Sequence, residues 1–346
     1  MKMIDNDIVH EELLKAKPIL AYDEQRNYAE WKKQVKQKYI ELLGLDTISK
    51  NACEIKVEIE EIVDKEEYIR YRYTFESEKG CFVPCYLLVP RQKKDRYPVC
   101  ICLQGHTTGF HISIGEGKYN VDDESLQTST FAIDAVKNGY AALAIEQRGM
   151  GERTTLRADR GRALQCGCMY TAMTALMLGR TLIGERVWDV SKAIDSLEYF
   201  ATKHRLDLED ITLLGTSGGG TATYYSACYD ERIKTAVPTC ALSTYRSSIG
   251  DMWHCTCNYI PHIAKYFDMG DLSALIAPRK LIVCNGEIDP IFPLGGAKEI
   301  YATIEKIYKK EKAEENCKFV VYPHKPHYFD KGITFSAIKE MRKEFI

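Results

Sequence analysis

The sequence predicts an α/β fold: a doubly wound, mostly parallel sheet that carries an N-terminal helical and antiparallel-strand extension. Short, wholly apolar runs alternate with longer helical stretches, and strictly alternating segments precede them. Strands that are covered by helices on both faces have no polar positions, so such runs are typical of a parallel sheet. The predicted parallel strands are 98–103, 140–145, 211–214, 235–242, 280–284 and 318–322.

The extension begins with a helical pattern. Apolar residues recur at three- and four-residue spacing from Tyr28 to Leu42, and Gly44 follows as a C-cap. Residues 54–89 then alternate between polar and apolar, which indicates antiparallel strands with one solvated face. We therefore expect a helical arm over 1–50 and a larger α/β domain over 51–346, with antiparallel edge strands over 51–90.

Charge and composition exclude several classes of partner. The 346 residues include 47 Lys and Arg against 49 Asp and Glu, so no positive field is available to hold nucleic acid. The N-terminus carries acidic residues where a signal peptide would be apolar. The 13 cysteines form no regular framework and suit reduced thiols. We expect a cytoplasmic protein with no nucleic acid or membrane partner, and the sequence leaves a homo-oligomer open.

One segment, 163–178, contains no charged residue and approaches the length of a membrane span. It includes Gln165 and two threonines, is slightly short, and is the single segment of this kind. We interpret it as a buried helix.

The strongest motif is G-T-S-G-G-G, from Gly215 to Gly220, which directly follows a predicted strand and precedes a helical stretch. Strand, G-x-S-x-G and helix is the setting of a nucleophile elbow, in which a sharp turn exposes a serine at the carboxyl end of the sheet. The competing interpretation is a glycine-rich phosphate loop, but the lysine of a P-loop is missing. The motif makes Ser217 the candidate nucleophile.

A serine hydroxyl needs a base, and the base needs an orienting carboxylate, in the chain order serine, acid, histidine. Asp289 follows the fifth parallel strand, and His327 follows the sixth. His324 lies in the same loop and remains an alternative base, although Tyr328 and Phe329 could form an aromatic wall that holds His327. The alternative acids are Asp251, Asp268 and Asp271.

Acyl transfer also needs donors for the oxyanion that develops in the transition state. The backbone N–H of Gly218 is one candidate, because it follows the nucleophile. The second should come from L-Q-G-H-T-T-G after the first parallel strand, and the N–H of His106 fits that position. We expect the His106 ring itself to form a wall of the pocket.

These motifs, with E-Q-R-G-M-G-E-R at 146–153, resemble the α/β-hydrolase superfamily and, within it, the dienelactone-hydrolase-like and acetyl xylan esterase-like branch. The likeness covers about residues 80–345. It implies the α/β-hydrolase fold and a catalytic triad of Ser217, Asp289 and His327. It also makes 51–346 the catalytic domain, with cap-like insertions at 152–180 and 243–277.

The resemblance has two departures. Dienelactone hydrolase itself uses a cysteine where this chain has Ser217. Acetyl xylan esterases and cephalosporin C deacetylases carry R-G-Q-G and G-x-S-Q-G-G, whereas this chain has R-G-M-G and G-T-S-G-G-G. We expect a serine esterase that hydrolyses small acyl esters of the acetyl type. Deacetylation of carbohydrate is suggested only by analogy with those esterases. The alternatives are a peptidase or other acyl or C–C hydrolase of this fold, and a binding protein without turnover.

Loops after the carboxyl ends of strands form the site in this architecture. Trp253, His254 and Tyr259 are therefore candidate pocket residues, together with Arg148 at the start of an arginine-rich loop that ends at Arg162. The arginines would suit an anionic substrate. The interpretation that we favour for most of them is a structural ion-pair network with Glu146, Glu152 and Asp159.

Two cysteine pairs, Cys166 with Cys168 and Cys255 with Cys257, could be drawn with His254 as a zinc site. The single residue between the cysteines of each pair is fewer than zinc sites usually have. We expect no metal and no cofactor.

Overall fold

The structure is a computed structural model, and it describes residues 7–154 and 167–343. In these residues one nine-stranded sheet runs through the molecule. The strands β1 to β9, in chain order, are Val57–Asp64, Tyr68–Glu78, Cys81–Pro90, Tyr97–Leu103, Ala141–Ile145, Leu206–Thr216, Ile233–Thr239, Lys280–Gly286 and Cys317–Tyr322.

The spatial order of the strands is β1-β2-β3-β5-β4-β6-β7-β8-β9. The pairs from β1 to β3 are antiparallel, and β3 also lies antiparallel to β5. All other pairs are parallel. The chain leaves β4 on one side for β5 and returns on the other side for β6, so the switch point lies beside β4. This confirms the predicted parallel sheet with its antiparallel extension, and it brings the carboxyl ends of β4 to β9 to one edge.

The described helices cover both faces of the sheet. The helices α1 to α11, in chain order, are Ile8–Leu14, Tyr28–Leu43, Leu45–Ser49, Asp123–Thr128, Phe131–Lys137, Gly167–Met177, Leu182–His204, Gly218–Tyr229, Ile263–Tyr266, Leu294–Lys310 and Lys331–Arg342.

Two apolar layers flank the sheet. One layer packs α2, α7, α8 and α10 against the strands, through buried side chains such as Val187 and Ile304. The other packs α5 and α11, through side chains such as Phe131 and Ile338. Helices on both faces explain why the parallel strands contain almost no polar positions.

The N-terminal arm joins the first of these layers. Trp31, Val35 and Leu43 on one face of α2 are buried in the same apolar cluster as the sheet. The Tyr39 hydroxyl donates to the backbone oxygen of Tyr225 in α8. Gly44 ends α2 with φ 72°, which is the left-handed conformation of the predicted C-cap.

Within the charge-free segment, Gly167–Met177 form the predicted helix, α6, but the expectation that the helix is buried is wrong for one face. Ala172 and Ala175 are buried, whereas Met173 and Leu178 are exposed and Met177 is 86% exposed. The absence of charge does not by itself bury a helix, because only the side that faces α7 and the 255–258 loop is covered. Across the described residues, we find no helix long and apolar enough to cross a membrane.

Candidate active site

Ser217 occupies a sharp turn between β6 and α8. Its backbone has φ 52° and ψ −124°, a strained conformation for a residue with a side chain. The turn leaves no room for neighbouring side chains: a Cβ atom at Gly215 would lie 2.4 Å from the backbone oxygen of Gly219. A Cβ atom at Gly219 would lie 2.2 Å from the oxygen of Leu103. The predicted elbow geometry is therefore present, with Ser217 at its apex.

Asp289 and His327 form a hydrogen-bonded pair at the ends of β8 and β9. His327 Nδ1 lies 2.9 Å from Asp289 Oδ2. The other carboxylate oxygen, Oδ1, accepts the backbone N–H groups of Ile291 at 2.8 Å and Phe292 at 3.0 Å. Burial opposes ionisation, but the His327 ring and these two N–H groups outweigh it and lower the pKa of Asp289. The carboxylate is thus held both in place and in its charged form.

The structure distinguishes the two candidate bases. The His327 side chain is 22% exposed, and its Nε2 atom is buried without a hydrogen-bond partner among the described residues. The His324 side chain is 91% exposed and pairs with Glu287 at the surface. The Phe292 ring stacks on His327, with ring centroids 6.0 Å apart.

The residues predicted to wall His327 include one that packs elsewhere. Phe329 packs edge-on against Phe131 in the core layer, with ring centroids 4.7 Å apart. The ring that supports the histidine is Phe292, which comes from the turn after Asp289. This contact depends on how two loops meet, so the spacing around His327 could not show it.

The end of β7 links the serine to this pair. The Ser217 N–H donates to the backbone oxygen of Thr239 at 3.0 Å. The next residue, Cys240, lies with its sulfur within 4.8 Å of ligand atoms of both Asp289 and His327. The three predicted triad residues therefore surround the carboxyl end of one strand, β7.

Two of the three alternative acids, Asp268 and Asp271, serve other roles. Asp268 accepts the backbone N–H groups of Tyr245 and Met269. Asp271 accepts the N–H of Tyr22 in the N-terminal arm at 2.7 Å. Both carboxylates therefore fasten backbone segments, and Asp289 is the candidate acid that contacts His327.

The segment with the second predicted oxyanion donor lies against the turn that carries the first. Gly218 is the first residue of α8, where a backbone N–H has no partner within its helix. The His106 ring lies against Gly218, since a Cβ atom there would be 2.6 Å from His106 Cε1. A Cβ atom at Gly105 would be 3.2 Å from Ser217 Cβ. The segment 104–109 thus passes directly over the serine.

Buried Glu146 fastens both ends of this segment. It accepts a hydrogen bond from Gln104 Nε2 at 3.0 Å and another from the Phe110 N–H at 3.3 Å. Burial raises the pKa of Glu146 to about 7, although the N–H groups of Glu152 and Phe110 oppose the shift. The position of the oxyanion segment therefore depends on a carboxyl group that titrates near neutrality.

A family model described as "Abhydrolase family" matches residues 2–220, which is more than half of the chain. The chain belongs to this family. The match includes the elbow and the 104–109 segment. The α/β-hydrolase fold expected from the resemblance is confirmed.

Individual relatives agree with this assignment. The Bacillus subtilis protein named "Putative hydrolase YtaP" is 26% identical over 292 residues, which cover 84% of this chain and 92% of that protein. A solved structure from Bacteroides fragilis, described as a putative acetyl xylan esterase, has a TM-score of 0.77 at 17% identity, covering 99% and 96% of the two chains. A glucuronoyl esterase from Solibacter usitatus has a TM-score of 0.63 at 14% identity, covering 94% and 95%. At these identities the two structures establish the shared fold.

One of the predicted pocket residues, His254, lies near His327, and a second, Tyr259, contacts His254. His254 is buried, its Nε2 lies 3.1 Å from Ser248 Oγ, and its ring packs edge-on against Phe292. The Tyr259 hydroxyl accepts the backbone N–H of His254 at 3.3 Å. Trp253, the residue before His254, is 82% exposed.

Arg148 is buried in an ion-pair network. Its guanidinium contacts Asp189 at 2.8 Å, Glu78 at 2.6 Å and Glu185 at 3.4 Å. This network matches the structural interpretation of the arginine, but the partners differ from the acids that the sequence suggested. Those acids lie next to Arg148 in the chain, whereas the observed partners come from β2 and α7. Residues 155–162 of the arginine-rich loop, including Asp159, lie outside the described residues.

The sequence suggested three of the four possible metal ligands that meet in one cluster, and it missed the fourth, His106. The ligand atoms of His106, Cys168, Cys255 and Cys257 all lie within 4.8 Å of one another. His254, which the spacing suggested as the histidine of this set, faces Ser248 instead. Cys166 lies outside the described residues. The fourth ligand could not be recognised from spacing, because His106 belongs to the oxyanion segment and lies far from both cysteine pairs in the sequence.

Proposed function

We propose that this protein is a serine esterase that hydrolyses small acyl esters, of the acetyl type, through Ser217, His327 and Asp289. One observation carries the proposal: Nδ1 of His327 is held 2.9 Å from Asp289, while Nε2 has no partner among the described residues. A base whose Nδ1 is oriented by a carboxylate and whose Nε2 has no competing partner is what proton transfer from a serine requires.

The first step forms a bond between Ser217 Oγ and the ester carbonyl carbon. His327 Nε2 takes the hydroxyl proton, and the Asp289 carboxylate stabilises the resulting imidazolium. The carbonyl oxygen becomes an oxyanion, which accepts hydrogen bonds from the backbone N–H groups of Gly218 and His106.

The second step breaks the bond to the alcohol. The protonated His327 gives its proton to the leaving alcohol oxygen, and the acyl group stays on Ser217. Water then attacks the acyl carbon and passes a proton to His327. Release of the carboxylic acid returns the proton to Ser217 and regenerates the enzyme.

Two observations support the acyl and alcohol preferences. The exposed Trp253 ring, next to buried His254, offers an apolar surface for an aryl or sugar alcohol. The Bacteroides fragilis structure that shares this fold is described as a putative acetyl xylan esterase. We therefore propose acetylated carbohydrate as the substrate class to test first.

The test is the hydrolysis of p-nitrophenyl esters from acetate to octanoate, together with acetylated xylo-oligosaccharides. We expect the rate to fall as the acyl chain lengthens. Ser217→Ala should lower kcat by on the order of 10³-fold or more without loss of fold. Ser336→Ala, which changes an exposed serine of α11, is the matched control and should keep the wild-type rate.

Two further substrates separate the alternatives. A methyl ester of glucuronic acid tests the specificity named for the Solibacter usitatus structure, and peptide p-nitroanilides test peptidase activity. Near wild-type ester hydrolysis by Ser217→Ala would refute the assigned nucleophile. If the folded wild-type protein hydrolyses none of these esters, the proposed esterase activity is refuted.

A further inference from the structure

Four metal-ligating side chains meet beside the oxyanion segment. His106 belongs to that segment, Cys168 lies at the start of α6, and Cys255 and Cys257 lie in the loop between β7 and β8. Cys168 and Cys257 are buried, Cys255 is half-buried, and the His106 ring is exposed on one side. We propose that these four residues bind one Zn²⁺ ion.

The spacing of the ligand atoms suits a tetrahedral zinc ion. Zinc lies about 2.3 Å from a cysteine sulfur and about 2.0–2.1 Å from a histidine nitrogen, so tetrahedral angles place sulfur and nitrogen roughly 3.6 Å apart. Cys257 Sγ and His106 Nε2 are 3.3 Å apart. All four ligand atoms lie within 4.8 Å of one another. A closed set of three cysteines and one histidine is a ligand set of structural zinc sites.

A buried cation supplies independent support. Arg186 is 1% exposed, and its Nη2 atom lies 3.1 Å from Cys168 Sγ. Its Nε and Nη2 atoms also donate to the backbone oxygen of Arg148, while Nη1 has no partner among the described residues. Within 7–154 and 167–343, no carboxylate forms a salt bridge with this guanidinium. A buried charge without a counter-charge is costly, so something negative should lie beside Arg186.

A zinc–thiolate centre provides that counter-charge. As the three S–Zn bonds form, the three thiol protons pass to solvent, and His106 binds as the neutral imidazole. Zn²⁺ with three thiolates carries a net charge of −1, which Arg186 neutralises. Soft thiolate ligands also disfavour Mg²⁺ and Ca²⁺, which prefer oxygen.

The site would connect three separate segments to the active-site turn. The His106 ring lies against Gly218, so an ion that holds this ring also fixes the backbone of the oxyanion segment. This consequence rests on the proposed esterase function, whereas zinc binding does not. We therefore expect the metal to affect catalysis by positioning the backbone N–H of His106.

The first experiment measures metal in the full-length protein, purified without chelator, then incubated with Zn²⁺ and desalted. We expect close to one zinc per chain by elemental analysis. Replacement by Co²⁺ should give the intense visible bands of a tetrahedral site and the near-ultraviolet charge-transfer bands of cobalt–thiolate bonds. Neither measurement depends on esterase activity, so failure of the zinc site and failure of the proposed function can be told apart.

Variants then assign the ligands. Cys257→Ser and His106→Gln should lose most of the bound zinc, whereas Cys317→Ser, which changes a cysteine in β9, should retain it. Circular dichroism reports whether each variant is folded. A wild-type protein that holds no zinc after reconstitution, or that shows a disulfide within the cluster by intact mass after alkylation, would overturn the proposal. Full zinc retention by a folded Cys257→Ser variant would also overturn it.

Discussion

Asp289 uses its two carboxylate oxygens for different purposes. Oδ1 accepts two backbone N–H groups of the turn that follows, and Oδ2 faces the His327 ring. The first oxygen therefore maintains the loop, and the second sets the tautomer of the histidine. These two functions can be separated by a substitution that keeps one oxygen.

Asp289→Asn should separate them. The amide oxygen can still accept from Ile291 and Phe292, so the fold should persist. The amide NH₂ would donate to His327 Nδ1, which places the imidazole proton on Nε2 and removes the base. We expect kcat for an acetyl ester to fall about 10⁴-fold with little change in the free energy of unfolding. The matched control is Glu287→Gln, at the surface pair with His324. Equal losses in the two variants would contradict the assignment of the acid.

Glu146 should make the stability of the protein depend on pH. Its pKa is about 7 in the folded chain and near 4.5 when unperturbed. Between these values the folded state keeps a proton that the unfolded chain has released. The free energy of unfolding therefore falls as the pH rises, by up to about 1.4 kcal/mol per pH unit.

Glu146→Gln should remove this dependence. The neighbouring Gln104 has an oxygen without a partner among the described residues, so its amide can turn to accept from the new amide. Urea unfolding at about pH 5, 6, 7 and 8 measures the difference between variant and wild type. We expect the variant to gain relative stability as the pH rises, until the wild-type carboxyl is fully ionised. The exposed Glu305→Gln is the control, and parallel curves for Glu146→Gln and wild type would contradict the shifted pKa.

At the scale of elements, the elbow depends on contact between two strands and a helix. β4, the segment after it and the first turn of α8 approach so closely that a Cβ atom at Gly219 would lie 2.2 Å from one backbone oxygen and 2.5 Å from another. Backbone atoms cannot move aside as a flexible side chain can. The position of Ser217 is therefore fixed by the packing of β4 against α8.

Gly219→Ala should push these elements apart. We expect a loss of stability of about 1–3 kcal/mol or more, and a large loss of activity because the oxyanion segment moves away from Ser217. Gly295→Ala in α10 is the matched control, because an added Cβ atom there meets no described atom within 4 Å. Chemical denaturation and ester hydrolysis measure the two effects. Wild-type activity in Gly219→Ala would show that the close approach is not required.

The sequence predicts elements well where burial is complete. Five of the six parallel strands, β4 to β8, are recognisable because their apolar runs are covered on both faces, whereas β9 lies at the edge of the sheet and is only partly buried. The exposed methionine face of α6 was not predictable, since an apolar composition does not report which face a neighbour covers. The antiparallel pairing of β3 with β5 was not predictable either, because it depends on the path of the chain between the strands and not on any pattern within either strand.

The candidate site divides in the same way. Ser217 directly follows β6, and Asp289 and His327 lie in the loops that follow β8 and β9, so their order and placement could be predicted from the chain. The partners of Arg148 and the stacking of Phe292 on His327 could not, because they join segments that are distant in sequence. The cysteine and histidine cluster is of the same kind: its histidine lies more than sixty residues before its first cysteine.

At the scale of the whole molecule, the N-terminal arm is part of the main core. Trp31 is 2% exposed within the same apolar cluster as the sheet, and its indole N–H donates to the backbone oxygen of Leu20. We therefore expect the arm and the sheet to unfold together, in one transition.

Trp31→Ala should test this expectation. Truncation of a buried tryptophan costs about 3–5 kcal/mol, and the loss should appear in the unfolding of the whole chain. Fluorescence and circular dichroism should report the same lowered midpoint, whereas the exposed Lys33→Ala should leave it unchanged. An early transition of the arm alone, with the main transition unaltered, would indicate that the arm is a separate unit.

The docking of the arm has a consequence for synthesis on the ribosome. The Tyr28 hydroxyl in α2 donates to Glu311, and the backbone N–H of Tyr22 donates to Asp271, so these partners are translated long after the arm. At about 5–20 residues per second, the delay is on the order of tens of seconds. During that time the apolar face of α2 has no native surface to cover it. The first helix of the core to leave the ribosome is therefore among the last to dock, and it is the segment most open to chaperones or to aggregation in the interval.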